Sequence, residues 1–432
     1  MRVRVIGAGL AGCEASYQLA KRGFEVDLYE MKPKKFSPAH RSENFAELVC
    51  SNSFRSDALT NAVGVLKNEL RMMDSFIMKV ADETKIPAGS ALAVDREQFS
   101  SLVTKRLKEM KNITLHYEEI EKLDTSVPTI VASGPLSSKA ISKSIQDYFQ
   151  EKDFYFYDAV APIVTVDSID FTKAYRKSRY DKGSDDYINC PMNQEEFLAF
   201  YQAVITAETA ETHDFEKELY FEGCMPFEVM AKRGMKTLLF GPMKPVGLKQ
   251  EGKEKPYAVV QLRQDNATSS LYNIVGFQTH LKWSEQKKVI HLIPGLEKAE
   301  IVRYGVMHRN SYINSPKYLE DTYRVSREKY VFFAGQMTGV EGYIESCASG
   351  FVAAVNMAQI LQGKEEIHFG QGTMIGAMAH YISHASQSNF QPMNANFGIM
   401  NLEKIVKKKE KKEAYAPQSV AHIKELKEKY GL

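Results

Sequence analysis

Five cysteines, Cys13, Cys50, Cys190, Cys224 and Cys347, are the residues best suited to covalent chemistry in this 432-residue chain. No two stand closer than 34 residues, so the chain has no CxxC redox pair and no zinc-ligand spacing. Each thiol therefore acts alone. Cys224 lies in Tyr220-Phe221-Glu222-Gly223-Cys224-Met225-Pro226, and the residues from 228 to 250 set Lys232, Arg233, Lys236, Lys244 and Lys249 against a single acid, Glu228. Cations near a thiol favour its nucleophilic thiolate form, and the same cations could hold phosphates. Cys50 lies in the polar, irregular run Leu48-Val49-Cys50-Ser51-Asn52-Ser53. Either thiol could equally be a small buried hydrophobe, the usual fate of a free cysteine. Cys13 and Cys347 fall in small-residue helical patterns and Cys190 stands beside Pro191, so these three read as packing.

A second chemistry sits at the N-terminus. The β-run Arg2-Val3-Arg4-Val5-Ile6 feeds Gly7-Ala8-Gly9-Leu10-Ala11-Gly12, a GxGxxG, and Cys13 to Lys21 then read as a helix with Gly23 just past its end. A second β-run, Glu25 to Tyr29, closes on Glu30 near the offset of a ribose-binding acid. In such a unit the first glycine makes a tight turn, the second admits a pyrophosphate and the third lets helix pack on strand. Glu rather than Arg at position 30 disfavours a 2′-phosphate. With one fingerprint in the chain, a tightly held FAD fits better than a chain built around NAD(P) with a second Rossmann domain.

These groups need a scaffold, and the chain supplies one in four parts. Residues 1–150 read as the first part of a Rossmann-like FAD-binding domain of α/β class, with a long irregular loop from Met31 to Asn61 and strands near Ile113 to His116 and from Thr129. Loops of that length inside a compact domain are usually functional. Residues 151–324 change character, with aromatic β-runs and a helix from Gln194 to Thr206, and read as an inserted α+β substrate domain. The aromatics in the 154–157 run and between Tyr272 and Trp283 could stack bases but fit a core or sheet role better. Residues 325–400 read as the second part of the FAD-binding domain. There a strand from Tyr330 ends at Ala334-Gly335-Gln336, and a small-residue helix runs from Ile344 to about Leu361. Gly335 and Gln336 would give a second contact to a long dinucleotide. Residues 401–432 carry nine lysines against five glutamates and read as a solvated helix or tail.

Composition narrows the classes. Lys and Arg total 56 against 54 Asp and Glu, so no global charge announces a polyanionic partner, although local patches remain open. No run of 18 uninterrupted apolar residues and no leader-like N-terminus is present, which argues against a membrane role and for a reducing cytoplasm. None of the ten histidines falls in HExxH, and no metal site is expected.

The fingerprint together with Phe45-Ala46-Glu47-Leu48-Val49-Cys50-Ser51-Asn52-Ser53, Phe221-Glu222-Gly223-Cys224-Met225-Pro226, Leu238-Leu239-Phe240-Gly241-Pro242-Met243-Lys244-Pro245-Val246-Gly247, Phe332 to Tyr343 and Gln391 to Gly398 closely resembles the TrmFO family of folate- and FAD-dependent tRNA (uracil-5-)-methyltransferases. The resemblance runs to about residue 400. It implies methylation of C5 of the T-loop uridine of tRNA, with 5,10-methylenetetrahydrofolate as carbon donor and FAD reduced by NAD(P)H. Cys224 matches the family's nucleophile, adding to uracil C6. Cys50 matches its second functional cysteine, assisting proton removal from C5 or handling of the one-carbon unit. Lys232, Arg233, Lys236 and Lys244 would hold RNA. A relative acting on the large-subunit (23S) ribosomal RNA, or a related flavoprotein acting on the tRNA wobble uridine, is the alternative.

Overall fold

The structure is a computed structural model that describes the chain except residues 151–154, 160, 182–184, 211–224, 267, 306, 389, 405, 406, 408 and 409, together with the side chains of 155–159, 181 and 307–311. Its first layer is a five-stranded parallel sheet in the order Val331–Phe333, Thr129–Val131, Arg2–Ile6, Glu25–Glu30, Ile113–Tyr117. Strands covered on both faces need continuous apolar runs, and Val3, Val5, Val26, Leu28, Ile130, Val131, Val331, Phe332 and Phe333 are all buried. Val331–Phe333, the latest of these strands in the sequence, pairs in register with Thr129–Val131.

The fingerprint helix spans Leu10–Lys21, three residues earlier than the periodicity predicts, because Gly9 serves as its N-cap and the remaining motif residues form its first turn. The small-residue helix Tyr343–Leu361 packs across it, and its glycine is the reason for the close approach. A Cβ on Gly350 would lie 2.2 Å from the Ala11 carbonyl oxygen. Among the described residues this is the one helix long and apolar enough to cross a membrane, and most of it is buried inside the protein.

The second layer is a six-stranded antiparallel sheet in the order Tyr175–Arg176, Tyr187–Met192, Ala258–Gln264, Leu271–Ile274, Ile163–Thr165, Ile301–Arg303. It carries its own apolar core, in which Tyr272 and Phe277 are buried, while Trp283 is exposed. The helix Gln194–Thr206 forms over the predicted span, started by a capping box between Asn193 and Glu196. The strands Tyr155–Ala159 and Met307–Ser311 pair as a two-stranded ribbon.

The lysine-rich end is a helix, Lys411–Tyr430, and it is not wholly solvated. Tyr415, Ala416, Ser419 and Ile423 recur at helical spacing and bury one face against the first core. Ser419 donates to the buried carboxylate of Glu69, which also accepts the Met374 and Ile375 N–H groups at the start of the Met374–His384 helix. Charge counting alone misses this stripe because the lysines fill the positions between its members.

Candidate functional site

The parallel sheet delivers the fingerprint turn to the edge where its strands end. Gly7 has φ +100°, and a Cβ there would lie 2.5 Å from the Ala132 carbonyl oxygen. On Gly12 a Cβ would lie 1.8 Å from the Gly7 oxygen, so Gly12 packs the helix onto the turn. Gly9 differs from both. Nothing lies within 4 Å of where its Cβ would stand, and as N-cap it offers no side chain to the first-turn N–H groups of its helix. Uncapped N–H groups at a helix start are an anion site.

Beside them runs a cleft lined by Gly7, Ala8, Gly9, Leu10, Ala11, Glu30, Gly335 and Gln336. The Glu30 carboxylate accepts the Ala8 N–H at 3.1 Å and the Lys32 N–H at 2.9 Å, which ties the turn to the end of its strand. Each oxygen keeps a lone pair for a hydroxyl in the cleft. Gly335, at φ +84°, donates its N–H to Ser349 Oγ at 2.7 Å, and Gln336 donates to Glu341. Ala132, Ser133 and Gly134 complete one wall, as the small residues ending that strand suggest.

Other lining groups carried no signal in the sequence. His40 contacts Ser37 Oγ through Nδ1, and burial with Lys32 and Arg303 nearby pushes its pKa down to about 4. It is neutral at pH 7. The loop that holds it is braced by Lys32, whose amine donates to the Ser42 and Asn44 carbonyls and approaches Glu47 at 3.7 Å.

Cys50 sits where the two layers meet, half-buried, in the loop that the sequence marks as irregular. Its N–H donates to Tyr343 Oη at 2.8 Å, and the Ser51 N–H does so at 3.2 Å. Tyr343 and Val49 also line the cleft, so the thiol's loop and the fingerprint share a wall. Asn52 is fully buried and donates to the carbonyls of Gln264, in the six-stranded sheet, and Val94, in a separate three-stranded antiparallel sheet of Ser53–Ser56, Ala91–Val94 and Lys85–Ile86. Arg96 donates to the Leu48 and Val49 carbonyls and pairs with Asp265 at 2.8 Å; Arg263 donates to Ser51 Oγ at 2.6 Å. Arg96 and Arg303 both lie within electrostatic reach of Cys50. A thiol among guanidinium groups is placed for thiolate chemistry, and burial holds the Tyr343 hydroxyl protonated, with Cys50 adding to that effect.

Lys67 holds the far end of this loop. It is fully buried, and its amine donates to the carbonyls of Phe54 at 2.8 Å and Ser56 at 2.6 Å. Methionine fills the same volume but donates nothing. Orphaned carbonyls cost roughly 1–3 kcal/mol each, against the relief of one buried charge, so Lys67→Met is expected to lose about 2 kcal/mol near neutral pH. Burial pushes this amine from 10.5 down to about 8. The unfolded chain therefore binds the extra proton between those values, and wild-type stability climbs with pH across that window. Urea midpoints should show the climb in the wild type and its absence in Lys67→Met.

Cys224 lies outside the described residues. The other three thiols are buried completely, and burial pushes each pKa up: Cys13 against the Ala8 carbonyl, Cys190 in the second core, Cys347 beside Glu14. They are inert packing residues. Lys232, Arg233, Lys236 and Lys249 are exposed and Lys244 is half-buried, and none has a carboxylate partner among the described residues. Glu228, the lone acid among them in sequence, is turned inward, accepting from Thr279 Oγ1 and the His280 N–H. Among the described residues no group of three His, Cys, Asp or Glu could hold a metal ion.

A family model described as glucose inhibited division protein A matches residues 2–365. The chain is 59% identical over 428 residues to a Bacillus licheniformis protein named methylenetetrahydrofolate–tRNA-(uracil-5-)-methyltransferase TrmFO, covering 98% of each. Proteins of the same name from Anoxybacillus flavithermus and Bacillus subtilis are 60% and 59% identical, the first with 98% of each chain covered and the second with 98% of this chain and 97% of that one. Among solved structures, Aquifex aeolicus GidA superposes with a TM-score of 0.71 at 16% identity, covering 98% of this chain and 73% of that one.

Proposed function

The chain belongs to the TrmFO family, within the glucose inhibited division protein A group, and from that premise we propose that it methylates C5 of the T-loop uridine of tRNA. The carbon comes from 5,10-methylenetetrahydrofolate, and FAD reduced by NAD(P)H supplies the hydride when bound. The observation that carries this reading is the shared wall: Tyr343 lines the dinucleotide cleft and accepts the N–H of Cys50.

The residues divide the work as follows. Gly7, Ala8, Gly9, Leu10 and Ala11 offer an open, uncapped helix start to the diphosphate, and Gly12 keeps that helix seated. Glu30 would accept from a ribose hydroxyl, and Gly335 and Gln336, which line the same cleft, would hold the dinucleotide with it. The Cys224 thiolate adds to uracil C6, which moves the ring's electron pair to C5 and makes it nucleophilic. Cys50, held in its arginine setting, takes the proton from C5 or handles the one-carbon unit. Lys232, Arg233, Lys236 and Lys244, in the 151–324 insertion, neutralise RNA phosphates.

The deciding experiment incubates the protein with methylenetetrahydrofolate, NADH and separate tRNA and 23S ribosomal RNA transcripts, then maps methylated uridine by mass. One methyl group on the tRNA T-loop is the expected product. Methylation confined to ribosomal RNA would redirect the enzyme to that loop, and no product from either would remove the proposal.

A further inference from the structure

Phe240 is 77% exposed, the most exposed aromatic side chain among the described residues. Its mount is stiff. It ends the helix Met235–Phe240, which is anchored by Leu238, while Met243 in the following turn donates its N–H back to Leu238; both side chains are fully buried in the second core. The loop beyond is tied down by Arg179, which donates to the carbonyls of Lys244 at 2.9 Å and Val246 at 2.6 Å and to Gln261 Oε1 at 2.8 Å. At the loop's other end stands Tyr180, 54% exposed, its N–H on the Gly247 carbonyl. A Cβ on Gly247 would meet the Tyr180 ring at 2.9 Å, so glycine there lets the ring lie against the loop.

A single exposed aromatic needs no explanation. Two, on segments tied to each other across the loop 241–247, with four exposed cations and the half-buried Lys244 in the sequence on either side of Phe240, do. The only acid from 228 to 250 is buried and satisfied, so Lys232, Arg233, Lys236, Lys244 and Lys249 have no carboxylate partner among the described residues. Fixed aromatic faces interleaved with cations are how proteins hold unpaired nucleotides: phosphates on the charges, bases on the rings. A purely helical RNA would offer phosphates but no base face.

We propose that Phe240 and Tyr180 form a stacking platform for unpaired bases of the RNA substrate. This rests on the RNA reading above and adds to it that the segment bound here is single-stranded, with Phe240 as its principal stacking residue.

The test measures equilibrium binding of FAD-loaded, full-length protein to a tRNA transcript and to a fully paired RNA duplex, across a range of salt. Stacking on one base is worth roughly 5- to 150-fold in affinity. Phe240→Ala should therefore bind tRNA about ten-fold more weakly at every salt concentration, with the slope against salt unchanged. Phe240→Trp should restore binding, and duplex affinity should not move. Lys236→Ala, by contrast, should flatten the slope by about 0.7 to 0.9. In turnover, Phe240→Ala should raise KM for tRNA and keep kcat. Wild-type affinity in Phe240→Ala, an equal loss on the duplex, or a change in sedimentation marking a contact between protein copies would overturn the platform. If the wild type itself bound tRNA no more tightly than it binds heparin, the RNA reading would fall instead, so the two failures are distinguishable.

Discussion

Cys224→Ala should purify yellow, bind tRNA with wild-type affinity and transfer no methyl group, its turnover down by at least roughly 10⁴-fold. Uracil C5 is a poor nucleophile until a bond to C6 converts the ring into an enolate, and alanine cannot form that bond. Packing loss would look different: a truncated buried cysteine lowers stability and leaves turnover largely intact. RNA bearing 5-fluorouridine at the target sharpens the measurement. The Sγ–C6 bond and the new C5–carbon bond form, but fluorine cannot depart as a cation, so the thioether cannot be expelled and an adduct persists. The structure limits where it can map. Cys13, Cys190 and Cys347 are fully buried with raised pKa values, leaving Cys224 and Cys50. Tryptic mapping of the adduct to Cys50, or undiminished adduct in Cys224→Ala, would exchange the roles of the two thiols.

Gly9→Val should fold normally and purify colourless. The backbone at Gly9 is extended, at φ −76° and ψ −172°, which any residue adopts, and its Cβ direction is empty for 4 Å. The valine side chain therefore disturbs nothing in the protein itself and fills the space at the uncapped helix start that the diphosphate requires. Flavin affinity should fall by at least roughly 100-fold, which forfeits about 2.7 kcal/mol of ligand-linked stability at flavin concentrations that saturate the wild type. Thermal melting without flavin should match the wild type's. The neighbouring substitution is the control: Gly12→Ala drives a Cβ to within 1.8 Å of the Gly7 oxygen and should destabilise the fold with or without flavin. Full flavin occupancy in Gly9→Val would refute the placement of the diphosphate.

The half of the site that binds the dinucleotide was legible because its information is local. Three glycines within six residues, a strand before, a helix after and Glu30 at the next strand's end are a short-range pattern, and each position has a steric reason that needs no distant partner. The helix Gln194–Thr206 was legible for the same reason, its start marked by Asn193 and Glu196 three residues apart. The surroundings of Cys50 were not. Arg96, Arg263, Arg303 and Tyr343 come from four separate stretches of chain, and none carries a periodicity or spacing that points to residue 50. Only the pairing of Val331–Phe333 with Thr129–Val131, and the close crossing of Gly350 on Ala11, bring Tyr343 to the cleft. By itself the sequence determined which residues could do chemistry and which turn could hold a diphosphate. The tertiary structure decided which thiols are buried, where the unpaired cations and Phe240 face solvent, and that the Cys50 loop shares a wall with the cleft. Burial and charge proximity are sums over neighbours distant in the chain, and those neighbours exist only once both sheets have closed.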